Sequence, residues 1–383
     1  MQRVPHWHNS RKLVRLDVKG RIGASVLSVD ERNHAAAMRL VLGIESSCDE
    51  TAVAIVGDGQ QVLAEVIASQ ADDFATWGGV VPELAARGHV ASLPGLIDQV
   101  LSQAGVQLES LAGLAVGAWP GLIGSLLTGV TAAKVIAQRR GLPLAAVDHI
   151  QAHLAAVHLD QPNVTYPLVG LVASGGHSNY YLGDAPGRFV MIGGTIDDAA
   201  GEAFDKAAAT LGLEYPGGPI MDRRAALGNP RALTLPRSFI HDDTLRLSFA
   251  GIKTALLYQI KGPLGRDPMT LDENGINDAC AAFQAGVVDC LVSKLLLAAK
   301  IHQVRAVAVG GGVACNSELR ARLTTATAAA GLQLYLPKPR HCADNAAMIA
   351  ALGHFQIERG ELAGPDLVPL PTGNAGPRRK SLR

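Results

Sequence analysis

The chain has 383 residues and a mass of 39.9 kDa, more than one ordinary core accommodates, so two domains are expected. Hydrophobic residues make up 48% and charged residues 18%, which excludes a disordered chain. Basic and acidic residues balance at 34 each, so a nucleic-acid partner must be gripped by local basic patches or helper subunits, not by a global positive field.

The first 37 residues carry Arg3, Arg11, Lys12, Arg15, Lys19 and Arg21 without a long apolar run. That composition argues against a secretory signal, Asp17, Asp30 and Glu31 weaken a transit peptide, and the segment reads as a disordered or upstream-start extension, with the fold beginning at Met38. From Arg39 to Val56 the pattern predicts strand, tight polar turn (Glu45 to Thr51) and strand. Residues 110 to 133 carry no charge, yet six glycines and prolines from Gly113 to Gly129 interrupt them. They parse as a strand (Leu111 to Val116), a turn (Gly117 to Gly121) and a helix from about Ser125 through Ala137, so no membrane span is expected. The strand–turn–strand plan returns from Pro167 to Leu182 around Ser174-Gly-Gly-His-Ser178. A third glycine turn, Gly310-Gly-Gly312, follows the apolar strand Val304 to Val309 and precedes a helix starting near Asn316. Each turn alone is explained by chain reversal. Three at equivalent strand ends suggest a duplicated α/β unit with a nucleotide-sized ligand beyond the carboxyl ends of the strands.

At the seam between the two blocks, His149 and His153 lie four residues apart. On a helix that spacing stacks both rings on one face, where one ion reaches both, although an amphipathic helix with two partly buried histidines has the same pattern. An ion there needs an oxygen ligand and open positions, which is the arrangement of a reactive metal. Asp344 stands at the amino end of an apolar helix, and its spacing suits an N-cap as well as a ligand. The five cysteines include no Cys-x-x-Cys pair, which argues for a reducing, cytoplasmic setting and against a cysteine zinc site.

Long motifs occur in a fixed order: Gly43-Ile-Glu-Ser-Ser-Cys-Asp-Glu-Thr51, Trp77-Gly-Gly-Val-Val-Pro-Glu-Leu-Ala-Ala-Arg87, His149-x-x-x-His153, Ser174-Gly-Gly-His177, Ile196 to Lys206, Tyr215-Pro-Gly-Gly-Pro219, Ser248 to Lys253, Gly310 to Asn316 and Cys342-Ala-Asp-Asn345. In these the chain, from Met38 to about Gly373, resembles the tRNA N(6)-adenosine threonylcarbamoyltransferases, the bacterial TsaD family. The resemblance implies an α/β, two-lobed ASKHA fold (actin-like or hexokinase-like) with an interlobe nucleotide cleft. It places the first lobe at 38–160, completed by a helix at about 344–360, the second lobe at 161–343, and a basic tail at 374–383. It implies one divalent metal, Fe(2+), on His149, His153 and Asp344. Val172, Ala173, Ser174, Gly175, Gly176, Asp205, Gly218, Asp222 and Asn316 would line the substrate site, with Asp49 and Glu50 as weaker catalytic candidates. The implied reaction moves the threonylcarbamoyl group of threonylcarbamoyl-AMP to the exocyclic amine of adenosine 37, beside the anticodon, in tRNAs reading codons that begin with A. The implied partners are a TsaB-like paralogous subunit and a TsaE-like ATPase. Arg223, Arg224, Arg246 and Lys253 are the expected tRNA contacts.

The sequence departs from the family pattern at Trp119-Pro-Gly121, where Gly-Pro-Gly is usual, and inside the histidine helix, which keeps only the ligand spacing. A zincin peptidase is the main rival for a histidine pair, but Ile150 stands where its glutamate base belongs. A sugar kinase or ATPase, and a non-catalytic nucleotide-binding scaffold, are the others.

Overall fold

The computed structural model describes residues 38–70, 74, 80–161, 163–262 and 271–372. The expected N-terminal extension, the basic tail and Trp77–Gly79 of the second motif lie outside the described residues.

Alternating apolar runs build two sheets on one plan. The first has the order β3-β2-β1-β4-β5, from β1 (Leu40–Glu45), β2 (Glu50–Gly57), β3 (Gln61–Ser69), β4 (Gly113–Trp119) and β5 (Leu144–Asp148). β1, β2 and β3 form an antiparallel meander, and β4 and β5 continue parallel on the other side of β1. The second sheet comprises β6 (Leu168–Ala173), β7 (Ser178–Ala185), β8 (Arg188–Thr195), β9 (Arg246–Leu247), β10 (Ala306–Gly310) and β11 (Gln333–Tyr335). Its order, β11-β10-β6-β7-β8-β9, repeats the meander and the two added parallel strands, with β9 as an extra edge. The duplication expected from the two hairpins is therefore present in the topology.

Along each sheet the period of two sends neighbouring residues to opposite faces. A Cβ on Gly43 would meet Ala346 and Ala350, whereas Ile44 lies beside Gly129. Thus α2 (Ile123–Arg140) covers one face of β1, and α9 (Ala346–Glu358) covers the other. Every residue of α9 from Ala346 to Gly353 is buried, as expected of a helix apolar on all sides. In the second sheet, Val169, Leu171 and Ala173 face a core that includes α4 (Ala200–Thr210) and α7 (Glu273–Ile301). Leu168 and Val172 face the other way, onto Ile150 and Leu154. Those two belong to the short helix α3 (His149–Ala155), whose Ala152 and Ala155 pack into the first sheet's core. The histidine helix is thus a wedge between the two cores.

Three sequence expectations shift, the first being β10, which spans Ala306–Gly310 where the sequence predicts Val304 to Val309. β4 begins at Gly113 and not Leu111, and α2 runs from Ile123 to Arg140, two to three residues past each expected end. Gly124 is accommodated in the first helical turn, and the helix stops only at Gly141, in the left-handed region at φ 66°. The stretch 110–133 is strand, turn and helix. Among the described residues the helix with membrane-like length and apolarity is α7, and 78% of its most apolar window is buried inside the protein, as in a core helix.

Candidate metal centre

β5 ends at Asp148, whose carboxylate accepts from the amides of Ile150 (2.9 Å) and Gln151 (3.1 Å) and so starts α3. This fixes His149 at the first helical position and His153 one turn later, with ring centroids 4.9 Å apart. Asp344 Oδ1 approaches both rings, 3.5 Å from His149 Nε2 and 3.3 Å from His153 Nε2. One ligand atom from each of the three residues lies within 4.8 Å of the others.

Two observations test whether this trio suits an ion. His153 is buried; its Nδ1 has no hydrogen-bond partner, and its Nε2 faces the Asp344 carboxylate at 3.3 Å without a well-directed hydrogen bond. Such an orphan costs about 1–3 kcal/mol unless a ligand satisfies it. His149 Nδ1 lies 2.9 Å from Glu45 Oε2 and 3.3 Å from Ser47 Oγ. With Nδ1–H donating to the buried Glu45, Nε2 is the nitrogen left to face the trio and to bind an ion on losing its proton, the carboxylate–histidine arrangement that orients metal ligands. Two imidazoles and one carboxylate form the donor set of non-haem iron(II) sites. The residues fit a divalent cation.

The charges balance locally. Burial drives the His149 ring toward neutrality, but Glu45 and then Asp344 outweigh it and lift its pKa well above the usual imidazole value. Burial likewise opposes ionisation of Asp344, and the two rings, His149 first, hold its carboxyl well below the usual range. His177 is pushed the other way, to about 4, by burial and then by His149 and His153.

Asp344 is not the cap of α9. Asn345 is: its side chain accepts from the Met348 amide (2.8 Å) and donates to the Ala343 carbonyl (2.7 Å). Glu65 accepts from the amides of Ala346 (3.1 Å) and Ala347 (3.0 Å). With the helix end served by its neighbours, the Asp344 carboxylate is left to the rings. Asn345→Ala is expected to lower stability by about 1 kcal/mol, read from the urea midpoint, whereas Asp344→Ala carries no capping loss.

The other expected residues sort into open and occupied positions. Val172 and Ala173 put their side chains into the cores on either side of β6, so only their backbone is available to a ligand. The Ser174 amide donates to the His177 carbonyl (2.8 Å), closing the turn, and the carbonyls of Ser174 and Gly175 accept from the Gly201 and Glu202 amides at the start of α4. A Cβ on Gly175, Gly176 or Gly218 would meet nothing within 4 Å, so these glycines border open space. Asp205 Oδ1 accepts from the Gly217 amide (2.8 Å) at the start of α5 (Gly217–Ala225), and burial raises its carboxyl pKa. Asn316 caps α8 (Ser317–Ala329) through the Leu319 amide (2.9 Å) and donates to Gln284 (2.7 Å). Asp222 accepts from the Ser317 hydroxyl (2.7 Å). All three side chains have structural partners.

Glu50 begins β2 beyond the first hairpin turn. Burial, then Asp49 and Asp344, pushes its carboxyl up to about 8. The glycines around Trp119 pack under this hairpin: a Cβ on Gly117 would lie 2.7 Å from Glu45 Oε2, one on Gly121 2.6 Å from the Ser47 carbonyl, and one on Gly129 2.4 Å from Ser46 Oγ. The indole at position 119 leaves those approaches intact. The four cations expected to contact tRNA differ in their partners within the chain. Lys253 pairs with Asp198 (2.6 Å), Arg246 with Asp242 (3.3 Å) while half exposed, and Arg224 bonds to Asn277 (3.1 Å). Arg223 is exposed.

Sequence reasoning missed Glu45, Glu65 and His177 as neighbours of the trio. Glu45 and His177 stand inside quoted motifs, but nothing in their spacing ties them to a helix at 149. Glu45→Gln is expected to weaken ion binding about 10- to 100-fold, checked by Co(2+) titration, because the amide no longer fixes the His149 tautomer as a carboxylate does.

The family model described as TsaD, tRNA N6-adenosine threonylcarbamoyltransferase, matches residues 61–351. A protein of that name from Geobacter sp. (strain M21) is 48% identical over 332 residues, covering 87% of this chain and 95% of the relative. One from Anaeromyxobacter dehalogenans (strain 2CP-C) is 45% identical over 337 residues, covering 86% and 98%. Among solved structures, HypF from T. kodakarensis aligns with a TM-score of 0.56 at 14% identity, over 86% of this chain and 49% of that one, a likeness of ASKHA fold alone. A second HypF structure aligns with a TM-score of 0.55 at 14% identity over 84% of this chain and 56% of that one. By the extent and identity of these matches, the chain belongs to the TsaD family of tRNA N6-adenosine threonylcarbamoyltransferases, a family of acyl-transferring, tRNA-modifying enzymes.

Proposed function

We propose that the protein takes the threonylcarbamoyl group from threonylcarbamoyl-AMP and places it on N6 of adenosine 37 in tRNAs reading codons that begin with A. The N6 amine attacks the carbamoyl carbon, a C–N bond forms, the C–O bond to the phosphate breaks, AMP leaves and N6 gives up a proton. The observation that carries this reading is the convergence of His149, His153 and Asp344 on one point, with an orphaned buried imidazole among them. Iron(II) held there would supply Lewis acidity toward the acyl oxygen, an effect of several kcal/mol in such sites.

The chain's own groups do the rest. Glu45 holds the His149 ring, and Asn345 and Glu65 hold the start of α9 beside Asp344. Gly175, Gly176 and Gly218 let substrate approach the backbone closely. Glu50, whose proton affinity is raised to about 8, is the group to accept the N6 proton in its ionised form, with Asp49 beside it.

With a formal net charge of zero, and with Lys253, Arg246 and Arg224 paired internally, the tRNA is gripped together with partner subunits, a TsaB-like paralogue and a TsaE-like ATPase, in the cytoplasm. Reconstitution with threonylcarbamoyl-AMP, unmodified tRNA and those partners, read by mass spectrometry of the nucleosides, is expected to give threonylcarbamoyladenosine. Specific peptide cleavage or phosphoryl transfer from ATP to a small hydroxylic acceptor, with no modified nucleoside, would sink the assignment.

A further inference from the structure

The three residues of the trio come from segments nearly two hundred residues apart, and their convergence needs something to hold those segments in register. α3 runs directly into a 3-10 turn, Ala156–Leu159, and the next residue is Asp160. Its side chain is only 2% exposed. Asp160 Oδ2 accepts from the Lys338 amide (2.8 Å) and from His341 Nδ1 (2.8 Å), and Oδ1 pairs with Lys338 Nζ (3.1 Å). Lys338 and His341 bracket the 3-10 turn Pro339–His341, three residues ahead of Asp344. The hold continues from there: the His341 carbonyl accepts from Asn345 Nδ2 (3.3 Å), and Asn345 caps α9. Asp344 therefore sits in a short loop pinned on one side through His341 to Asp160 and on the other through Asn345. Asp160 itself ends the helical run that carries both histidines.

We propose that Asp160 is a positioning residue for the metal centre, locking the Asp344 loop onto the histidine-bearing segment so that the three ligand atoms converge. A shortened side chain at this point leaves the Lys338 amide and the His341 ring without their shared acceptor, whereas an amide keeps one acceptor oxygen and loses the charge that pairs with Lys338 Nζ. The loop then gains freedom at the end nearest the carboxylate ligand. Burial acts to raise the Asp160 carboxyl, but the Lys338 amide and then the His341 ring outweigh it, so the anchor is the ionised form. Outer partners that orient a ligand typically change metal affinity 10- to 100-fold when removed.

The inference rests on the metal reading above, and the test separates the two. Co(2+) is titrated into the full-length protein and its Asp160→Ala, Asp160→Asn, Asp160→Glu and His153→Ala variants, following the visible spectrum of the ion. Thermal unfolding of each metal-free form is recorded in parallel. The expected result is a 10- to 100-fold weaker Co(2+) affinity in Asp160→Ala, a smaller loss in Asp160→Asn, recovery toward the native value in Asp160→Glu, and no binding in His153→Ala. Native affinity in Asp160→Ala, or a drop in its unfolding temperature alone, overturns the positioning role. If Asp160→Ala does not fold, native affinity in Asp160→Asn overturns it equally. Unchanged Co(2+) binding in His153→Ala overturns the metal reading, and this inference falls with it.

Discussion

His153→Ala is expected to abolish ion binding and to lower threonylcarbamoyl transfer by about 10³-fold, the factor that follows from losing several kcal/mol of transition-state stabilisation. What makes this variant informative is its effect on the metal-free protein. A buried imidazole with Nδ1 unpartnered and Nε2 poorly directed at Asp344 is a liability without an ion, so removing it relieves a polar penalty of about 1–3 kcal/mol, offset by a cavity and a lost carboxylate contact of similar total cost. The unfolding temperature of the metal-free variant should therefore stay close to that of the metal-free native chain. With Co(2+) in excess the two should separate, because only the native chain gains the stability that follows from an ion binding the folded state. Calorimetry with and without ion, and nucleoside mass spectrometry of the reconstituted reaction, give both readouts. Full transfer activity in this variant, or a large stability loss that ion does not affect, would place His153 among ordinary core residues.

How much of this centre was legible in the chain depends on distance along it. The histidine pair is a local pattern, and its helix, its shared face and its place at the seam follow from spacing and from the two flanking hairpins. The duplicated sheet was readable for the same reason, because each meander is a run of neighbouring strands. The choice between Asp344 and its neighbour as helix cap was not readable. Both residue types cap helices, and only the packed structure shows Asn345 on the Met348 amide. Glu45 was invisible as a partner because it meets His149 from 104 positions away, and no periodicity reports such a contact. The pairing of the basic residues was hidden for a related reason. Composition shows that Lys253 and Arg246 exist but not that Asp198 and Asp242 already neutralise them. Short-range geometry is written in the sequence; pairing across the fold is not.

Gly310→Ala should be a severely damaging single-methyl change, although the residue touches no ligand atom. Gly310 ends β10, and a Cβ there would lie 2.2 Å from the His153 carbonyl oxygen, 2.7 Å from its carbonyl carbon and 3.2 Å from its Cβ. All three atoms belong to the backbone or root of a residue wedged between two cores, so no flexible side-chain end can swing away. Either β10 leaves its pairing with β6 or α3 moves, and in both cases the cost is expected near 3 kcal/mol. Moving α3 displaces the His153 ring, so Co(2+) affinity should fall together with the urea midpoint. Gly312, two residues on, supplies the control. A Cβ there meets nothing within 4 Å, so Gly312→Ala is expected to leave both measurements near native. If Gly310→Ala matches the Gly312→Ala control, the close approach of the third glycine turn to the histidine helix is wrong, and with it the reason this turn must be glycine where it meets His153.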